Sequence, residues 1–170
     1  LSKRHGATGV EEYQAMGYPA AGMRNYLTRL GWSHGDTEFF TSEQAMGWFD
    51  FDGIGRSPSQ FDFKKLENLN GHYLREADDG RLAALCRPRI ESVIAREITA
   101  NENDLLTKAM PVLKVRAKTI IDLSEGALFL FENRPLSMDE KAQSLLEADN
   151  TGLLGLARDA LASASEWAME

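Results

Sequence analysis

Apolar positions three and four residues apart, the spacing of one helix face, recur along this chain. Val10 to Met16 predicts a short helix that Gly17 stops. Pro19 suits the first position of the next helix, in which Ala20, Met23, Leu27 and Leu30 share a side up to Gly31. Thr41 and Gln44 are spaced as a capping box for a helix through Phe49. Asp50 to Ser59, punctuated by Gly53, Gly55 and Pro58, predicts turn or short strand. Asp62 then stands as an N-cap, with Phe61 and Leu66 as a hydrophobic staple. Leu66, Leu69 and Tyr73 form the buried stripe of a helix to about Arg75.

From Glu76 onward the pattern is helical throughout. Leu82, Leu85, Ile90, Val93, Ile94 and Ile98 predict a helix or helix pair bent at Pro88. Asn101 to Asp104 has the polarity of a break and cap. Pro111 is expected to start a long helix with Leu113, Ala117, Ile120 and Ile121 inward and Lys114, Lys118, Asp122 and Glu125 outward. Ser137 with Glu140 predicts a further capping box, and Leu153 to Trp167 a last amphipathic stretch. The fold expected is mainly α: a helical region with at most a few short strands over residues 7–75, then an all-helical bundle over 76–170.

Composition narrows the class. With 43% hydrophobic and 9% aromatic residues, the 170-residue chain can build a core without disulfides or metal. The longest apolar run, Ala127 to Phe131, is far short of the roughly 18 residues that a bilayer demands. Cys86, alone, fits a reducing compartment, and nothing at the start reads as a signal peptide, so a cytoplasmic location is expected.

The net charge of −7 argues against a nucleic-acid partner until its distribution is considered. Residues 1–75 net −1 and residues 76–170 net −6. Local clusters run the other way. Arg56, Lys64, Lys65 and Arg75 outweigh Asp62 and Glu67, and Lys108, Lys114, Arg116 and Lys118 have no acid among them. A polyanion responds to potential within a Debye length of about 8 Å, so an acidic protein with confined basic strips can still bind RNA. Ordinary solvated helix faces would look the same.

Most chemical signatures fail. Gly53-Ile-Gly55 has Pro58 where the dinucleotide fingerprint needs its third glycine. His5, His34, His72 and Cys86 lack paired-ligand spacing, so no metal site is expected. No nucleophile elbow is present. The face formed by Lys65, Asn68, His72 and Arg75 is more informative, because spacings of three, four and three align them opposite Leu66, Leu69 and Tyr73. Cations beside neutral donors suit phosphate and ribose contacts. Lys114 and Lys118, one turn apart, repel unless an anion lies between them.

The opening Leu1-Ser2-Lys3-Arg4-His5-Gly6 resembles the tail of the KMSKS loop of class I aminoacyl-tRNA synthetases, in the form found in glutamyl-tRNA synthetases. Tyr18 to Ser33 and Phe61 to Arg75 are similar to later hallmarks of the bacterial glutamyl family, and Lys114 to Phe131 is a looser match. The resemblance implies a C-terminal fragment beginning in that loop. Residues 1–6 would be loop tail, 7–75 a stem-contact region, and 76–170 the first, truncated part of a helical anticodon-binding domain. It implies Lys3 as catalytic, with Ser2, Lys3 and Arg4 at the ATP phosphates, and Lys65, Asn68, His72, Arg75, Lys114 and Lys118 toward tRNA. The full-length enzyme would use ATP with Mg to join glutamate to tRNA(Glu), or also tRNA(Gln), as a monomer. The fragment, lacking the N-terminal catalytic domain, would hold no cofactor and make no adenylate. The alternative is a non-catalytic helical module whose last helix and Trp167 meet a protein.

Overall fold

The computed structural model describes residues 9–56, 59–133, 138–148 and 152–164. They fall into two compact units, one ending at Glu132 and one starting at Asn133.

The first unit opens with α1 (Val10–Ala15) and α2 (Ala20–Arg29). Gly17 turns the chain between them at φ +82°, and a Cβ there would lie 2.9 Å from Ile121 Cγ1, so both conformation and space require glycine. Pro19 is the N-cap of α2 rather than its first residue. The buried face of α2 is Gly22, Met23, Asn25 and Tyr26, while Ala20 and Leu27 face outward, against expectation. Gly22 causes that rotation: without a side chain it lets α2 settle against Asn70 of α4 (Phe63–Glu76). Tyr26 locks the same contact, its hydroxyl donating to the Asp62 carbonyl at 3.0 Å and accepting from the Asp62 N–H at 2.6 Å. Tyr13, Tyr18, Met23, Tyr26, Leu66 and Leu69 form the core here.

Between α2 and α4, the Thr41–Gln44 box opens α3 (Ser42–Trp48) as expected. Trp32 organises this loop region, donating from Nε1 to the Asp50 carbonyl and packing edge-on to Phe40. The segment expected as turn or short strand is a turn at Asp52 and Gly53 followed by one antiparallel bridge between Trp32 and Ile54 among the described residues. Asp62 caps α4, accepting from the Lys64 and Lys65 N–H groups.

A second core is built by α5 (Asp79–Ile94), α6 (Ala100–Leu113), α7 (Ile120–Ala127) and a 3₁₀ turn at Leu128–Leu130. Leu74 from the end of α4 joins Leu82, Cys86, Ile90, Leu106, Met110 and Leu123 inside it. Pro88 lies within α5 without ending it. Two expectations are overturned. Asn101 to Asp104 is no break but lies at the start of α6, because Thr99 is the N-cap and its capping-box partner Glu102 is already helical. Pro111 does not begin a helix; it sits in the last turn of α6, where it forgoes the backbone bond to the carbonyl four residues before it, and Thr119 with Asp122 opens α7 as a separate helix. The expected junction between residues 75 and 76 falls at the last residue of α4, and the first unit runs on past it.

The second unit contains α8 (Glu140–Glu147) and α9 (Leu153–Ala162). Asp139 caps α8 in place of the expected Ser137, which lies outside the described residues. Trp167 also lies outside them. The nine α-helices and the absence of a sheet among the described residues agree with the mainly α expectation.

Candidate nucleic-acid interface

Ser2, Lys3 and Arg4 lie outside the described residues. The other six candidates are carried by α4 and by the turn between α6 and α7. Lys65, Asn68 and Arg75 are exposed on α4. His72, on the same face, is half-buried, its ring stacked on Phe39 at a centroid distance of 3.8 Å. It braces an aromatic side chain and is less open to solvent than its neighbours.

Arg75 and Lys118 converge. Arg75 Nη1 and Lys118 Nζ each lie 3.3 Å from the point where a Cβ on Gly71 would sit, so the two nitrogens are at most twice that distance apart. Neither has an acidic side chain within ion-pair distance among the described residues. Lys118 is held there through its backbone, whose N–H donates to Asp122 at 2.9 Å and whose carbonyl accepts from the Asn70 amide. Two cations that converge on Gly71 with no ion-pair partner among the described residues can attract an anion such as phosphate.

Lys114 departs from the expected pattern. Its ammonium is 2.7 Å from Asp79 and donates to the Ala77 carbonyl at 3.0 Å, with only 16% of the side chain exposed. It closes the α4–α5 turn instead of pointing a free charge outward. Spacing could not show this, since the expected continuous helix from Pro111 put Lys114 and Lys118 on one surface stripe.

Gly71 was missed. A glycine inside an otherwise strongly helical segment marks a close approach, and that signal was available in the sequence. Tyr73 belongs to the expected buried stripe and also supplies a polar link. Burial holds its phenol above its ordinary pKa, keeping it a neutral donor between Asn25 Oδ1 at 2.8 Å and the Phe40 carbonyl at 2.6 Å. Among the described residues no group of three or more His, Cys, Asp or Glu is placed to hold a metal ion.

The sequence comparisons indicate one class. Residues 1–68 match the family described as tRNA synthetases class I (E and Q), catalytic domain, and residues 81–170 match the family described as anticodon binding domain. Within that class the chain belongs to the glutamate–tRNA ligase family. It is 57% identical over 168 residues to glutamate–tRNA ligase 2 of Rhizorhabdus wittichii, covering 98% of this chain and 35% of that protein. The glutamate–tRNA ligase 2 of Zymomonas mobilis is 53% identical over 171 residues, which cover 100% of this chain and 36% of that one. The fold is shared with the crystal structure of a glutamate tRNA ligase from Elizabethkingia meningosepticum in complex with its amino acid. The TM-score is 0.72 at 22% identity, covering 97% of this chain and 36% of that chain. The chain therefore spans about a third of the length of the relatives it matches. These likenesses favour the tRNA-binding reading over the protein-interaction module.

Proposed function

We propose that this chain is the tRNA-gripping part of an ATP-dependent glutamate–tRNA ligase, and that Arg75 and Lys118 clasp one tRNA phosphate over Gly71. The observation that carries this is the convergence of two unpaired cations from separate segments, one on α4 and one before α7. Lys65 and Asn68 extend the contact along α4, while His72 and Lys114 contribute by holding the surface in shape. The stem-contact region would end and the anticodon-binding part begin near residues 75 and 76, a junction that agrees with the gap between the two family matches.

The loop that opens the chain has suitable chemistry for ATP. Ser2, Lys3 and Arg4 offer a hydroxyl, an ammonium and a guanidinium, with no acidic residue before Glu11. In the whole enzyme they would hold the phosphates, Lys3 offsetting the charge that develops as the leaving group departs. ATP, bound with Mg, would supply the adenylyl group that activates the glutamate carboxylate, with pyrophosphate released, before transfer to tRNA(Glu). The whole ligase would act as a cytoplasmic monomer, and acceptance of tRNA(Gln) would depend on anticodon contacts.

Filter binding of tRNA(Glu) and an unrelated tRNA across a salt series tests the reading. Cognate-selective retention is expected, with Arg75→Gln and Lys118→Gln each lowering the slope of log K against log salt by about 1. No retention even at low salt overturns it. ATP–pyrophosphate exchange by the 170-residue chain alone would overturn the assignment of adenylate formation to the rest of the ligase.

A further inference from the structure

A cavity of about 370 Å³ lies on the α2–α4 surface, within the size range of small-ligand clefts. Its lining combines three kinds of group. Phe39 is 37% exposed and is fixed from behind by the stacked ring of His72. Gln60 and Asn68 present amides able both to donate and to accept. Lys65 stands one turn before Asn68, and Arg29 at the end of α2 also lines the cavity, its charge partly met by Glu38 at 3.4 Å.

This set matches the parts of a nucleotide. A nucleobase has a flat face that an aromatic ring can hold and an edge of donors and acceptors that amides can read. Its phosphate needs a cation about one nucleotide away. A protein side chain would not need the two amides, and a bare phosphate would not need the ring. Tyr26, Leu30 and Leu69 complete the lining and offer apolar surface to a base.

We infer that this cavity takes one unstacked nucleotide of the bound tRNA, its base against Phe39 and read by Asn68 and Gln60, its phosphate at Lys65. The inference rests on the tRNA-binding reading above and adds a site that recognises a base to one that holds only backbone.

The test is chemical probing of 2′-hydroxyl reactivity on tRNA(Glu) transcript, with the chain as wild type, Phe39→Leu, Asn68→Asp and Lys65→Gln. Binding by the wild type should change the reactivity of one or two adjacent non-helical nucleotides. Phe39→Leu and Asn68→Asp should restore free-tRNA reactivity at those positions alone and weaken binding about tenfold. Asn68 is exposed, so its variant keeps the fold even where Phe39→Leu lowers the melting midpoint. Lys65→Gln should weaken binding with a smaller salt slope. A footprint that all variants share overturns the pocket and leaves the wider reading standing, whereas no footprint overturns both. Competition by a free mononucleotide at tRNA-like concentration would also overturn it, making the cavity a site for free nucleotides.

Discussion

Asn70, fully buried in α4, donates its side-chain amide to the main-chain carbonyl of Lys118 in the turn before α7. That bond ties the first core to the segment carrying Lys118, half of the proposed clasp. The other side of Asn70 faces Gly22 of α2, so one residue sets the distance between two helices and the position of a cation.

Gly22→Ala should therefore be strongly felt. Its methyl would strike Asn70 Oδ1, forcing α2 away or breaking the bond to Lys118. Overpacking of this kind costs about 1–3 kcal/mol, measurable by urea denaturation. An unchanged midpoint would mean that the α2–α4 contact is looser than described.

Gly71→Ala separates stability from binding. Alanine is favoured over glycine inside a helix by about 0.8–1 kcal/mol, and the atoms it would meet are the far ends of Lys118 and Arg75, which can move aside. The variant should be as stable as the parent or slightly more so, while its affinity for tRNA falls several-fold. Undiminished affinity would show that the two cations act without their close approach.

Lys114 and Lys118 should behave differently despite being one turn's spacing apart. Lys114→Gln leaves Asp79 and the Ala77 carbonyl without their cation, a loss of about 1–2 kcal/mol after allowance for partial exposure. Its tRNA salt slope should remain that of the parent. Lys118→Gln should leave the melting midpoint in place and lower the slope. Paired thermal and salt titrations distinguish the two.

The start of α6 should loosen in acid. Arg96 donates to Glu102 at 2.7 and 3.0 Å and the Thr99 N–H adds a third bond at 2.8 Å, lowering this carboxyl from 4.5 to about 2. The folded protein thus binds the proton more weakly than the unfolded chain. The stabilisation is complete above the ordinary value and is lost as pH falls from there through about 2. Amide exchange at the first turn of α6 should accelerate over that window, and Glu102→Gln should flatten the response.

Sequence pattern was most informative where a helix start has a side-chain signature. Asp62 and the Thr41–Gln44 box are placed as expected, because a cap is a local contact between residues two or three apart. Pro111 points to a helix start because proline suits a first turn, yet here it lies inside the last turn of α6, and the Thr119–Asp122 box marks where the new helix starts. At the interface, helical spacing aligned Lys65, Asn68 and Arg75 correctly. It could not pair Arg75 with Lys118 or Lys114 with Asp79, since those contacts depend on how α4, α5 and the α6–α7 turn pack.

The cation pair over Gly71 has a thermodynamic corollary. Arg75 and Lys118 repel one another in the empty protein, and Asn70 must hold them together against that repulsion. An RNA phosphate seated there as proposed would offset that repulsion with its attraction to both cations, so RNA binding would also stabilise the folded joint.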